Sequence, residues 1–230
     1  MTKTNSEAGA ATPPTTTAHA LLGLLSIRPW TAYELTQQMR RALRWAWPRS
    51  EANLYTETKG LVPQGLAKAI EEDTGGRTRT RYEITDEGRA TVASWLETHP
   101  PTRPQLQFET LLRVFLADLG SPDDLRRTID DTRRQIVERI EEAIPILEDY
   151  SSEQPPFPGR AHLNVLFIHF YAGFFDLVLK WCDEVDAEAD TWSGTTAGVG
   201  LTPCTRRMLE DALTLYRATA ADHGPGEGAS

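Results

Sequence analysis

The 230-residue sequence has little of what marks secreted, metal-binding or catalytic proteins. It contains 2 cysteines and 5 histidines without the spacing of a disulfide framework or a Cys/His finger. His162 and His169 are two helical turns apart with Cys182 beyond them, and we predict no metal site there. No phosphate-binding loop or nucleophile elbow occurs, so we predict neither an enzyme nor a cofactor. The start of the chain lacks the apolar stretch of a secretory signal, so the expected compartment is the cytoplasm.

A long uninterrupted hydrophobic run is also missing. The most apolar stretch, residues 163–179, is interrupted by Asn164, His169 and Asp176. It is shorter than the roughly 20 apolar residues that a spanning helix needs. We therefore expect it to be buried in protein, not in a membrane.

The acidic charge is unevenly distributed along the chain. The formal net charge is -9. Residues 18–99 carry 11 Lys and Arg against 10 Asp and Glu, whereas residues 100–230 carry 12 against 22. The acidity belongs to the second half, and the first half has basic clusters in a nearly neutral background.

The first hundred residues alternate helix-forming segments with strong helix stops. Apolar spacing predicts helices over residues 18–27, 32–45 and 51–59, strands over residues 66–71 and 79–85, and a last helix from residue 86 to Pro100. Ser50 and Thr85 can each cap the helix that follows, because a hydroxyl there accepts an unpaired backbone N–H. This order is that of a winged helix-turn-helix domain, whose third helix enters the major groove of DNA.

The second of these helices has two contrasting faces. Tyr33, Leu35 and Met39 recur at helical spacing and are predicted to form an inward stripe. The outer face carries Arg40, Arg41 and Arg44. A solvated helix face is as good an interpretation of these arginines as contact with phosphate.

Four segments of this domain occur in a recognisable order. They are Leu21-Leu22-Gly23-Leu24-Leu25, Tyr33-Glu34-Leu35, Leu54-Tyr55 followed by Leu61, Gly65 and Leu66, and Arg81-Tyr82-Glu83-Ile84-Thr85-Asp86-Glu87-Gly88-Arg89. Together they resemble the PadR family of bacterial transcriptional regulators. No single piece is specific, but their order and spacing are typical of the family. With the helical second half, the resemblance covers residues 18–192. It implies a winged-helix DNA-binding domain, a helical dimerisation domain and a repressor of transcription.

The departures from the family pattern are local. Ala32 replaces a usual glycine, and Thr58 replaces a common leucine. Gly60 and Pro63 interrupt a segment that is usually one continuous helix. These differences concern the end of the recognition helix and leave the predicted fold unchanged.

In this fold the third helix and the hairpin meet DNA. On the helix and the turn before it, the candidate contacts are Arg49, Ser50, Asn53, Tyr55, Thr56 and Lys59. In the hairpin they are Arg77, Arg79 and Arg81. These arginines occupy alternate strand positions, so they share one face, opposite Thr80, Tyr82 and Ile84. Glu51 and Glu57 would repel phosphate, so they either face away from the backbone, which we favour, or read cytosine bases.

Each set of candidates has a structural alternative. The helix can be an exposed polar surface with Tyr55 packed on the second helix. The arginines can be charges that protect a sheet edge from strand addition. We favour DNA contact for both sets, because a hairpin at this place in the fold lies beside the phosphate backbone and cations there neutralise it.

The second half predicts long helices with more apolar surface than one neighbour covers. Ser121-Pro122-Asp123-Asp124 opens a helix that continues to Tyr150 with a kink at Pro145. Residues 161–185 form a helix that is apolar around most of its circumference and should be surrounded by other helices, and residues 202–221 form an amphipathic one. A helix-turn-helix reader also needs two recognition helices about one DNA turn apart. We predict an isologous homodimer whose candidate contacts are Ile136, Ile140, Phe167, Phe170, Phe174 and Trp181.

Aromatic side chains concentrate over residues 167–181, and Trp45 and Trp47 lie beside the helix-turn-helix. Their helical spacing is more typical of a core or an interface than of a ligand site. Some PadR relatives bind planar or phenolic molecules near the dimer interface, so a small hydrophobic or aromatic effector is a further candidate partner.

These observations predict a mainly α protein with an N-terminal winged helix-turn-helix domain and a C-terminal all-α dimerisation domain. The segments are a disordered tail (1–17), the DNA-binding domain (18–99), the helical domain (104–192), a linker with a C-terminal helix (193–222) and a disordered tail (223–230). The predicted function is sequence-specific regulation of transcription by a homodimer on a pseudo-palindromic operator in double-stranded DNA. The alternative is a winged-helix protein-interaction module with weak or vestigial DNA binding.

Overall fold

The computed structural model describes residues 13–43, 46–73, 78–195 and 200–223. Over these residues the chain is mainly helical with one small antiparallel sheet, as predicted. It divides into two compact units, Met1–Pro104 and Gln105–Ser230. The predictions made for Arg44, Trp45, Arg77 and the outer parts of both tails lie outside the described residues.

The N-terminal unit has the predicted order of helices and hairpin. Its elements are α1 (Thr16–Leu25), β1 (Trp30–Thr31), α2 (Ala32–Leu43), α3 (Glu51–Gly60), β2 (Ala67–Asp73), β3 (Thr78–Ile84) and α4 (Asp86–Thr98). The strand order is β1-β3-β2, and both pairings are antiparallel. Both predicted caps are confirmed, because the Ser50 hydroxyl accepts the Asn53 N–H at 3.3 Å and the Thr85 hydroxyl accepts the Gly88 N–H at 3.0 Å.

Helix α1 begins earlier than predicted. The Thr15 hydroxyl accepts the Ala18 N–H at 3.0 Å and caps the helix. Thr17 is buried, although residues 1–17 were predicted to be a disordered tail. That prediction is wrong for the last three of these residues, because the threonine run supplies a cap that the composition alone did not distinguish from a tail.

Strand β1 was not predicted, because two residues are too few to show a period. Trp30 pairs with Tyr82 of β3, and Thr31 pairs with Arg81. The Trp30 indole is buried and donates to the Leu24 carbonyl at 2.9 Å. This strand therefore ties the end of α1 to the base of the hairpin.

Tyr33 is 62% exposed, so its predicted place in the inward stripe of α2 is wrong. The buried positions of the helix are Leu35, Thr36 and Met39. Each residue advances an α-helix by about 100°, so Tyr33 lies about 200° from Leu35, beyond the edge of that stripe.

The C-terminal unit is entirely helical over its described residues. It contains α5 (Glu109–Phe115), α6 (Pro122–Ser151), α7 (Ala161–Ala189) and α8 (Pro203–His223). The predicted start of α6 is confirmed as a capping box in which Ser121 and Asp124 exchange hydrogen bonds. Helix α5 was not predicted, and it leaves Leu112 and Phe115 exposed.

Helices α6 and α7 pack along each other. The buried side chains of this pair include Leu125, Ile129, Ile136, Phe175, Val178 and Cys182. Arg133 of α6 donates to Asp183 at 3.0 Å and to Asp186 at 2.6 Å, and both acids belong to α7. These two hydrogen bonds raise the pKa of Arg133 further above its ordinary value, so the arginine stays charged while it holds the two helices together.

The single chain covers only one side of α7, although the sequence predicted that other helices surround it. Leu163, Leu166, Phe170 and Leu177 are each about half exposed or more. By length and composition, Pro158–Ala189 is also long and apolar enough to cross a membrane, a test that core helices of soluble proteins pass as well. The uncovered side is the feature of this unit that most needs a partner.

Gly88 in α4 is a point of close approach between the helix and the hairpin. A Cβ there would lie 2.9 Å from Ile84 Cγ1 and closer still to the Leu66 carbonyl oxygen. We expect Gly88→Ala to lower the free energy of unfolding of the N-terminal unit by about 2 kcal/mol, because the backbone of Leu66 cannot move aside cheaply. Chemical denaturation followed by circular dichroism measures this change.

The matched control is Gly23→Ala in α1, where a Cβ would meet nothing within 4 Å. That change is expected to be neutral or slightly stabilising, since alanine favours a helix over glycine. Equal losses for the two variants would contradict the close approach.

Candidate nucleic-acid interface

Helix α3 has one buried row and one exposed row. Leu54 and Thr58 are buried, and the Thr58 hydroxyl donates to the Leu54 carbonyl at 2.8 Å. Thr56 and Lys59 are exposed on the opposite side. The helix therefore presents short polar and cationic groups outward while its other side fixes it in the unit.

The remaining candidates on α3 are partly committed to the protein. Ser50 uses its hydroxyl oxygen as the helix cap. Tyr55 and Asn53 are half-buried. The Asn53 Oδ1 atom is buried and has no hydrogen-bond partner among the described residues. Such an acceptor costs free energy unless a water or a bound group satisfies it.

Arg49 lies against the protein just before α3. Its guanidinium is 4.4 Å from the centre of the Trp47 ring, and its Nε donates to Thr17 Oγ1 at 3.3 Å. The Trp47 indole donates to the same hydroxyl at 3.0 Å. Arg49 is exposed but held in place, which fixes a positive charge beside the N-terminus of the helix.

Glu51, the acid expected to face away from DNA, pairs with Arg40 of α2. The ion pair neutralises the one acid in the first turn of α3. The same ion pair engages Arg40 on the outer face of α2, so the role of Arg40 here is structural.

The hairpin places its two described arginines, Arg79 and Arg81, in different surroundings. Central strand β3 is paired with β1 only at Arg81 and Tyr82, whereas Arg79 lies beyond that pairing and opposite Glu72 of β2. The predicted alternation of side chains between the two faces of β3 is confirmed near the base of the hairpin, since Tyr82 and Ile84 are buried on the face opposite Arg81. Arg79 is exposed and forms no ion pair within the described part of the chain.

Arg81 is engaged by carboxylates at the base of the hairpin. Its Nε lies 3.0 Å from Glu72 Oε2. Burial works against the ionised form of Glu34, but hydrogen bonds from Thr31 and the charges of Arg28 and Arg81 lower its pKa. Arg81 therefore joins β2, β3 and the start of α2 electrostatically.

Comparison with known proteins finds a family and a relative that the N-terminal unit resembles. Residues 21–94 match the model of the transcriptional regulator PadR-like family. Over these residues the chain is therefore similar to a PadR-like domain. The negative transcriptional regulator PadR of Bacillus subtilis (strain 168) is 26% identical over 98 residues, which are 42% of this chain and 54% of that protein. The sequence match thus spans about half the length of this curated relative.

Solved structures extend the likeness to both units as a likeness of fold. Bacillus subtilis PadR in complex with operator DNA superposes with a TM-score of 0.67 at 18% identity, covering 76% of this chain and 99% of that one. The same protein in complex with p-coumaric acid gives 0.61 at 19% identity, covering 80% and 100%. The PadR-like regulator BC1756 of Bacillus cereus gives 0.59 at 19% identity, covering 75% and 99%.

The departures of the N-terminal unit from the family pattern are accommodated locally. Thr58 is fully buried, and its hydroxyl is satisfied within the helix, so it fills a core position that leucine usually occupies. Helix α3 ends at Gly60, and Leu61 follows as the C-cap. Gly65 has a φ of 73°, a left-handed conformation that favours glycine and turns the chain into β2.

Tyr33 is a surface candidate that the sequence analysis missed. It lies in the first turn of α2 with most of its side chain exposed. A phenolic hydroxyl on the surface of a helix-turn-helix can donate to a phosphate oxygen. The sequence signal that could have found it is its position about 200° from Leu35 around the helix.

The predicted dimer contacts occupy different environments. Ile136 is buried within the single chain, whereas Ile140, Phe167, Phe174 and Trp181 are half-buried. Phe170 is 67% exposed. Four of the exposed large apolar residues of α7 share one side of the helix and form what we call the outer stripe: Leu163, Leu166, Phe170 and Leu177. Of its four members the sequence analysis named Phe170 alone, because apolar residues surround the helix and do not reveal which side the chain covers.

Within the described residues, no group of three or more His, Cys, Asp or Glu side chains could hold a metal ion. Cys182 is buried between α6 and α7, and burial raises the pKa of its thiol. Its surroundings are those of a packed core residue.

Proposed function

We propose that this protein is a homodimeric, cytoplasmic repressor of transcription that binds a pseudo-palindromic operator through α3 and the hairpin. The observation that carries the proposal is the exposed row of α3 together with the exposed Arg79 of the hairpin. A helix with short polar groups suits base edges, and a cation on a flanking arm suits phosphate. The pairing of Glu51 with Arg40 removes the nearest repulsive charge from this face.

The two described arginines of the hairpin have different proposed roles. Arg79 contacts phosphate, because it lies in the outer, two-stranded part of the hairpin and has no carboxylate partner among the described residues. Arg81 positions the hairpin through Glu72 and the electrostatic field at Glu34. Arg81, first predicted to contact DNA, is now proposed as a positioning residue. Thr56, Lys59 and Tyr33 complete the proposed contact surface.

The outer stripe of α7 supports the proposed dimer. Four large apolar side chains on one side of a helix are exposed in the single chain, and apolar surface of this kind marks interaction sites. A two-fold dimer would bring two recognition helices to one operator, which a helix-turn-helix reader requires. PadR of Bacillus subtilis has been solved with operator DNA, and the same contact is proposed for this chain.

Repression, and release from the operator by an effector, are proposed by analogy with the relatives. The curated relative is named a negative regulator, and PadR of Bacillus subtilis has been solved with p-coumaric acid. In this chain, Phe167 and Tyr171 lie 5.0 Å apart by ring centre, and Tyr171 and Phe175 lie 5.9 Å apart. This aromatic cluster favours a small hydrophobic or aromatic effector.

We expect Arg79→Ala to weaken operator binding at every sequence and to reduce its salt dependence. Each phosphate contact contributes about 0.9 to the slope of log K against log salt, so a dimer that loses two contacts changes its slope by about 1.8. Fluorescence anisotropy with operator and unrelated duplexes over a salt series measures both effects.

Arg81→Ala is the matched comparison on the same strand face. Its slope is expected to change by less than half as much, because its guanidinium is already paired with Glu72. An unchanged slope for Arg79→Ala, or the same change for both variants, would refute the assigned roles.

We expect Phe170→Glu to weaken dimer association by at least about 100-fold, because it places a charge in an apolar interface. Sedimentation equilibrium measures the association constant. Ala172→Glu is the control, since Ala172 is exposed and points about 200° away on the same helix. Association that is insensitive to Phe170→Glu would contradict the use of the outer stripe.

A further inference from the structure

Helix α8 is anchored at its beginning by a buried carboxylate. Glu188, near the end of α7, is 4% exposed. Its Oε1 accepts from Thr202 Oγ1 at 2.7 Å and from the Trp192 indole at 2.9 Å. These hydrogen bonds hold the pKa of Glu188 below its ordinary value, so the anchor is ionised at neutral pH. The Thr202 hydroxyl then accepts the Thr205 N–H at 3.1 Å in the first turn of α8.

Beyond this anchor, α8 is uncovered. It has 21 residues and no buried residue. At about 1.5 Å per residue it is about 31 Å long. Leu209, Leu215 and Tyr216 are 50%, 62% and 72% exposed. In proteins most of the stability of a helix comes from packing of its apolar side, so the apolar side of α8 needs a partner.

The apolar and charged residues of α8 lie on opposite sides. At about 100° per residue, the apolar side spans about 160°. A line of small side chains at a spacing of seven, Thr205, Ala212 and Thr219, runs along this side, and larger apolar residues border it. The charged residues Arg206, Arg207, Glu210, Asp211 and Arg217 fall outside it. The result is a shallow, mostly apolar groove along the helix, open to large side chains from another helix.

The outer stripe of α7 has the complementary form. Leu163, Phe170 and Leu177 are large and also repeat every seven residues. The chain has no Asp, Glu, Lys or Arg from residue 161 to residue 175. A Cβ at Gly173, within the stripe, would meet nothing within 4 Å, which leaves room for another helix. Large side chains at the same period as the groove of α8 allow the two to interdigitate.

Both faces are exposed in the same chain, so α8 does not cover the outer stripe of its own protomer. We propose that α8 is an exchanged arm that packs its apolar side on the outer stripe of α7 in a second copy of this chain. The exchange is reciprocal in a two-fold dimer, and a single symmetric interface then covers both arms and both stripes. This inference rests on the homodimer proposed above and specifies which surfaces form it.

The test uses two full-length chains with different affinity tags, produced together. One carries the photoreactive residue p-benzoyl-phenylalanine in place of Tyr216, and the other is unsubstituted. After tandem purification and irradiation, we expect a covalent adduct of doubled mass on a denaturing gel. Mass spectrometry should place the attachment within residues 163–177 of the unsubstituted chain. The same photoreactive residue at Thr214, on the charged side of α8, should give at least about tenfold less of this adduct, because that side turns away from the partner.

Attachment within the same chain, attachment elsewhere on the second chain, or no attachment from position 216 would overturn the exchanged arm. Sedimentation of the unsubstituted chain, purified by its single tag, separates this failure from that of the dimer. A dimer without the expected adduct refutes the arm and leaves the homodimer standing, whereas a monomer refutes both.

Discussion

Apolar surface has to be removed from water, and the two units of this chain meet that requirement to different degrees. In the N-terminal unit, α3 buries Leu54 and Thr58 within its own chain. This packing holds the opposite side of α3 outward and fixes which of its residues are exposed. In the C-terminal unit, α7 buries Phe175 and Val178 but leaves the outer stripe exposed. The core of the first unit is complete within one chain, whereas the core of the second is not, and the proposed dimer would complete it.

The charged residues also differ between the two units. The acidic excess lies after residue 100, where Arg133 takes up two of the acids in a clamp between α6 and α7. In the first unit, two acids near the proposed DNA surface are paired: Glu51 with Arg40, and Glu72 with Arg81. Surface pairs of this kind contribute only about 0.5 kcal/mol each to stability. Their larger effect is to set which cations remain available to phosphate.

Local chemistry made much of the fold predictable. Ser50, Thr85 and the Ser121 capping box mark helix starts within three or four residues of sequence, and the structure confirms each of them. What failed depends on contacts between distant residues. Strand β1 exists only because Trp30 meets Tyr82, and no pattern within Arg77, Arg79 and Arg81 indicates that Glu72 engages one of them. Tyr33 was misplaced because a helix stripe is ambiguous at its edges, and the sequence shows that α7 is apolar without showing which side the chain covers.

The central claim is that two copies of this chain present two recognition helices to one operator. Selection of bound fragments from the genome of the source organism, followed by DNase footprinting of the strongest site, tests it most directly. The account predicts one protected pseudo-palindrome with half-sites about 10 base pairs apart, centre to centre, or a multiple of that spacing. No fragment enriched over bulk DNA, or a protected site without two-fold symmetry, would contradict it.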